Sequence, residues 1–306
     1  MDTSSPIKPN KLKKVSGLLL WVGVLAGLLL AGLIAYRLVS GRSLGLRSLV
    51  ENQVYAVRNL GLALMDSSNV SDDDSRLDNI IFLHHSTGSN LLDQGQVREL
   101  LQAQGYELWD HDYNPEGLNG PDGKRRGYNY NIPNDNTNPG GLYNILQQPE
   151  FPLPLNAYSG LLQHDVIVLK SCFRPGNNIR SDEQLAQYKA WYLEMRAEVD
   201  AQPEKLFVLF TIPPLNPAET NPGEARRARD FAAWLTAKDY QAGRPNLVIF
   251  DFYSALAEND PSSPDYNMLR AEYRDGADSH PNQHANQTLG PVFAEFLAEA
   301  IQAYRP

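Results

Sequence analysis

The chain has 306 residues, a formal net charge of −9 and 42% hydrophobic residues, a composition that excludes wholesale disorder. The first 50 residues hold seven basic residues and one acid, a balance of +6, which leaves −15 on residues 51–306. That acid excess argues against nucleic-acid binding, which needs a dense basic surface, and against lying flat on an anionic bilayer. The single cysteine, Cys172, excludes an intrachain disulfide and a multi-cysteine zinc site.

Residues 1–14 form a short basic tail. Val15 to Tyr36 carries no charge and is mostly Leu, Val, Gly and Ala. A helix of that length spans a hydrocarbon core of about 30 Å, so one transmembrane helix is expected over 15–36, longer than the apolar core of a cleaved signal. Lysines before it and arginines after it give a weak positive-inside bias. The expected topology is single-pass, with the N-terminus cytoplasmic and the large part extracytoplasmic. Gly23-x-x-x-Gly27 is a candidate helix-pairing face, for a dimer or a membrane-complex partner. Residues 37–77 read as a juxtamembrane helix followed by a polar, acidic linker around Asp72-Asp73-Asp74.

From about residue 78, strands and helices alternate. Strands are expected at 79–83, 106–109, 165–169, 206–212 and 247–250, each an apolar run of the kind buried on both faces of a parallel sheet. Helices are expected at 91–104, 181–199, 224–240 and 291–304, the last with Pro291 in its first turn. This is an α/β pattern, with a five-stranded parallel sheet covered on both faces. Residues 113–163 break the rhythm, being rich in Asn, Gly, Pro and Tyr, and read as a long insertion lying over a site.

Ligands of open parallel sheets bind beyond the carboxyl ends of the strands. His84-His85-Ser86-Thr87-Gly88 follows the first strand. Asp110-His111-Asp112 and then Gly117 and Gly120 follow the second. Lys170, Cys172, Arg174, Asn177 and Asn178 follow the third, and Asp278-Ser279-His280-Pro281-Asn282 precedes the final helix. A serine at a strand-to-helix turn, a late histidine with aspartates before it, and small or amide residues between are the parts of acyl transfer.

On these blocks, residues 78–306 resemble the SGNH (GDSL-type) hydrolases, serine esterases and lipases on a flavodoxin-like three-layer fold. The resemblance implies Ser86 as nucleophile, His280 as base and Asp278 as the orienting carboxylate, with Asp275 in reserve. It implies oxyanion donors from Gly117 or Gly120 and from Asn177 or Asn178. The pattern departs from the family in reading His84-His85-Ser86 for Gly-Asp-Ser and in placing Asp278 two residues before the histidine, not three. It also lacks the asparagine that usually follows the third strand directly. His85, Lys170 and Arg174 stand as candidate substrate-binding residues, the last two for an anionic group. No metal or organic cofactor is required.

The expected activity is hydrolysis of small esters or O-acylated glycans by a membrane-anchored serine esterase, with Tyr and Asn of the insertion meeting the sugar. Two other classes fit the same residues. One is an inactive domain of this fold that binds a ligand or scaffolds a membrane complex. The other is a metal-dependent hydrolase using His84, His85, His111, His280 or His284.

Overall fold

The computed structural model describes residues 31–32, 57–63, 65–66, 77–113, 117–133, 138–171 and 178–304. The expected span 15–36 lies outside them except for Ala31 and Gly32, which are helical. Among the described residues no helix is long and apolar enough to cross a membrane. The remainder, from Val54 onward, is one compact unit.

Its centre is a sheet of β1 (Asn79–Leu83), β2 (Glu107–His111), β3 (Leu118–Asn119), β4 (Val166–Leu169), β5 (Leu206–Phe210) and β6 (Leu247–Phe250), in the order β3-β2-β1-β4-β5-β6. The expected five-stranded parallel sheet is corrected to six strands and a mixed sheet. The five parallel strands run 2-1-3-4-5, the doubly wound flavodoxin-like order. β3 adds an antiparallel edge through Asp110↔Asn119 and His111↔Leu118. A strand of two residues carries no periodicity, so its sequence gave no sign of it.

Period-two alternation sends the two sides of each strand into separate cores. Ile81, Leu83, Ile167, Leu169, Phe207 and Leu209 pack on one face. Ile80, Phe82, Val166, Val168, Val208 and Phe210 pack on the other. The first face is covered by α3 (Pro139–Leu146), α4 (Ala157–Leu161), α5 (Asp182–Ala201) and α6 (Pro222–Thr236). The second is covered by α1 (Ser86–Gly95), α2 (Val97–Gln102), α8 (Phe252–Leu256) and α9 (Gln283–Tyr304), and α7 (Lys238–Gln241) follows α6. The result is three layers.

Several expectations change. The helix expected at 91–104 begins at Ser86 and breaks at Gln96, which is left-handed at φ 56°. The final helix begins at Gln283, with Pro291 inside it on its exposed face. A proline that breaks one intrahelical bond is tolerated there, and Asn282 starts the helix by accepting from Ala285 N–H at 3.0 Å.

Part of the insertion packs into the core. Tyr128, Tyr130 and Tyr158 are buried in the core with Ile132, Leu142 and Leu161. Buried polar bonds fix Tyr130: its Oη lies 2.9 Å from His164 Nε2, and His164 Nδ1 lies 2.6 Å from Asn79 Oδ1. Part of the expected stalk joins the same unit. Residues 57–63 are helical, and buried Asn59 donates to Asn129 Oδ1 at 3.1 Å.

Candidate active site

β1 ends at Leu83, and α1 begins three residues later with Ser86 in its first position. The chain runs from β1 to β2 on one side and from β4 to β5 on the other, so the switch point of the sheet lies between the carboxyl ends of β1 and its neighbour β4. Gly88 is required here because a Cβ would meet His84 Cβ at 2.3 Å. The half-buried Ser86 hydroxyl therefore stands at the N-terminus of a ten-residue helix, the end with positive dipole.

Ser86 Oγ lies 2.8 Å from His280 Nε2. His280 Nδ1 lies 2.8 Å from Asp278 Oδ1, which also accepts the His280 backbone N–H at 3.1 Å. The acceptor at Nδ1 selects the tautomer: Nδ1 carries the proton, and Nε2 is left to accept from the serine. The His280 hydrogen bond, then the backbone donors, hold the Asp278 carboxyl below its ordinary range despite slight burial. The fold thus brings Ser86 to a histidine 194 positions away and to the aspartate two residues before that histidine.

Two contacts align them. The 278–280 loop is held by Asn216, which sequence reading did not single out. Buried Asn216 donates Nδ2–H to the carbonyls of Gly276 and Asp278, each at 3.0 Å, and its backbone N–H to Ser279 Oγ at 3.0 Å. Ser279 in turn donates to Glu219. An Asn-Pro pair after a strand looks like a turn, and only the fold shows that it grips the histidine loop. The second contact joins α1 to α9. Gly95 and Gly290 meet backbone to backbone, and a Cβ on Gly290 would lie 2.2 Å from Gly95 O. Asn286 adds a bond to Gln94 Oε1 at 2.8 Å.

Other expected residues are placed differently. The amide of Gly117 donates to Tyr113 O at 2.7 Å and that of Gly120 to Lys124 O at 2.9 Å. Both candidate oxyanion amides are therefore engaged within their own turn. Asn178 Oδ1 accepts from Arg180 Nε at 3.4 Å. Asn177, Arg174 and Cys172 lie outside the described residues. Lys170, expected to meet an anionic substrate, is buried: its ammonium donates to Thr87 Oγ1 and to Ser171 O at 3.3 Å and sits over the Phe252 ring.

His85 is buried and stacks on Tyr113, ring centroids 4.0 Å apart, while Tyr113 is 44% exposed. Burial, then the positive neighbours His84 and Lys170, push His85 down to about 3, so it is neutral. His111 is also neutral, pushed to about 4 chiefly by burial. It donates from Nδ1 to Asp112 O at 2.7 Å and accepts Tyr130 N–H at Nε2. Among the described residues no three His, Cys, Asp or Glu side chains gather as a metal site.

No protein-family model matches the chain. No curated protein matches it either. Among solved structures, the chain is similar to a "putative acylhydrolase" from Bacteroides fragilis NCTC 9343, with TM-score 0.49 and 12% identity over 81% of this chain and 96% of that one. It is also similar to a GDSL-like lipase from Bacteroides thetaiotaomicron VPI-5482, with TM-score 0.42 and 7% identity over 81% of this chain and 98% of that one. Similarity at this level concerns the course of the backbone, and what the site does has to come from the side chains of this chain.

Proposed function

We propose that this protein is a serine ester hydrolase, acting on small esters or on O-acylated glycans. The observation that carries the reading is the unbroken hydrogen-bonded line from Ser86 through His280 to Asp278 at the switch point of the sheet. In the first step Ser86 Oγ bonds to the ester carbonyl carbon and its proton passes to His280 Nε2. Asp278 holds the imidazolium by its Nδ1–H. The proton then moves to the leaving alkoxide as the C–O bond breaks, giving an acyl-serine and an alcohol. Water attacks next, with His280 taking its proton and returning it to Ser86, and the carboxylic acid departs. Among the described residues, the Ser86 amide and the N-terminus of α1 offer support for the oxyanion. No step calls for a metal or organic cofactor. Nucleic acid is not a partner in this reading.

The proposal extends to location: a span over 15–36 tethers the domain to a bilayer, with the N-terminus cytoplasmic, the domain extracytoplasmic and the Gly23 face available for pairing. A second reading, an inactive ligand-binding or scaffold domain, draws on the engaged amides of Gly117 and Gly120.

Fluorophosphonate labelling of the full chain, with p-nitrophenyl acetate hydrolysis alongside, separates the two. The hydrolase labels on Ser86, and both labelling and turnover are lost in Ser86→Ala and His280→Ala. A folded protein that neither labels nor turns over leaves the binding domain.

A further inference from the structure

His84 sits directly behind the nucleophile and belongs to a buried charged chain. Its Nε2 lies 3.1 Å from Asp110 Oδ2 and its Nδ1 lies 3.0 Å from His85 O. Asp110 also receives the Arg98 guanidinium and the Asn119 amide, the latter at 2.8 Å. Arg98 is itself anchored to the carbonyls of Leu108 and Gly120. A carboxylate with three donors around it is ionised. A backbone carbonyl can only accept. Both ring nitrogens of His84 thus face acceptors, and both must carry protons, so the ring is an imidazolium. Burial opposes that charge, but the Asp110 bond and charge, Asp112 and the His85 carbonyl outweigh it and raise the ring above its ordinary value. Burial likewise opposes the Asp110 charge, yet His84, Arg98 and Asn119 bring its carboxyl down to about 2.

The carbonyl that His84 grips is the one that opens α1. His85 O also accepts Gly88 N–H at 2.7 Å and Ser89 N–H at 3.0 Å. The peptide from His85 to Ser86 is planar, so the direction of its C=O fixes the direction of the Ser86 N–H on the opposite side. A donor on the oxygen also polarises the N–H of the same unit.

We propose that His84 is a positioning residue for the nucleophile. Held between Asp110 and the His85 carbonyl, it locks and polarises the peptide that presents Ser86 and its amide. The inference rests on the serine-hydrolase reading. It supplies a reason for histidine where the family that the sequence resembles carries glycine: the turn is held by a buried cation.

The groups facing His84 are Asp93 of α1, Asp110, His111 and Asp112 at the end of β2, and its neighbour His85. Of these, His85 and His111 are already neutral at working pH. At alkaline pH the loss of the His84 proton breaks one of its two bonds, and kcat falls.

The test uses the full chain and p-nitrophenyl acetate. His84→Gln places an amide toward Asp110 but nothing toward His85 O. Its kcat is expected to fall about 10²-fold with KM little changed, the effect of a slight misalignment of the attacking atom. His84→Asn puts an amide at the Nδ1 position, where it donates to His85 O but cannot titrate. It is expected to keep kcat within about tenfold and to lack the alkaline fall. In the wild type, ring-nitrogen NMR shifts are expected to show both His84 nitrogens protonated at neutral pH, a readout that survives even if a variant fails to fold. An active wild type whose His84→Gln form keeps full kcat, or whose His84 ring is neutral, overturns this inference and leaves the hydrolase standing. A wild type without turnover overturns both.

Discussion

Replacing Asn216 with alanine removes the clamp on the 276–280 loop while leaving its backbone bond to Ser279 in place. The cap on Ala218 N–H goes with it, but the bonds that bear on the loop are two of 3.0 Å, whose loss leaves the carbonyls of Gly276 and Asp278 without their donor. At about 1 kcal/mol net for each buried bond, the arrangement that aims His280 at Ser86 loses about 2 kcal/mol. If all of that is felt as freedom of the loop, the aligned form is depleted about 30-fold, since 1.36 kcal/mol is one factor of ten. Asp278 is 65% exposed at its side chain and His280 36%, so no packed core stands in for the missing clamp. The expected outcome for Asn216→Ala is a kcat/KM for p-nitrophenyl acetate reduced by about 10–30-fold, with a matching drop in the rate of fluorophosphonate labelling. Circular dichroism should remain native, because β5 and α6 on either side keep their own contacts. A variant that labels and turns over at the wild-type rate would refute the claim that Asn216 aligns the base.

The contact between α1 and α9 makes a second case. In Gly290→Ala the new methyl would lie 2.2 Å from Gly95 O, so the helices must separate by about 1 Å. The expected loss is about 1–3 kcal/mol of stability, read by urea unfolding, and a fall in turnover as Ser86 and His280 move apart. Stability should also depend on pH. His111 and His164 are fully buried and neutral, brought down by burial to about 4 and about 3. Between the unfolded value of 6.5 and those values, only the unfolded chain takes up the proton, so stability falls as pH falls. Each contributes a loss of about 2 kcal/mol at pH 5 relative to neutral. Asp110, with its carboxyl at about 2, stays ionised in that window and keeps its contribution. His84, raised above its ordinary value, opposes the trend by less than about 1 kcal/mol between neutral pH and the unfolded value and adds little below it, so the net fall remains. Equal urea midpoints at neutral pH and pH 5 would refute the neutral assignment of these two rings.

Strands and helices were legible where burial leaves a periodic mark. The apolar runs at 79–83, 165–169, 206–212 and 247–250 sit within a residue or two of β1, β4, β5 and β6, because a strand covered on both faces has no choice but to be apolar. Boundaries failed where a local signal was read without its partner. Pro291 looks like a helix start, yet α9 begins eight residues earlier at Gln283, where Asn282 caps it. The insertion looked like a polar cover because its tyrosines and asparagines are polar by type. In the fold the Tyr130 hydroxyl bonds to His164, that of Tyr128 to Asp66, and Asn129 and Asn131 to Asn59, which lets these groups enter the core.

The sequence alone determined the alternating α/β pattern and the order in which chemical groups reach the carboxyl edge of the sheet. Both follow from hydrophobic periodicity and from chain order. Tertiary structure decided which of those groups meet. It closed Ser86, His280 and Asp278 into one line and turned the amides of Gly117 and Gly120 inward. It buried Lys170 beneath Thr87, brought Asn216 under the histidine loop and set His84 between Asp110 and the peptide that joins His85 to Ser86. The decisive contacts among these join residues tens to hundreds of positions apart, and their geometry is fixed by how the layers pack, which no local pattern of residues records.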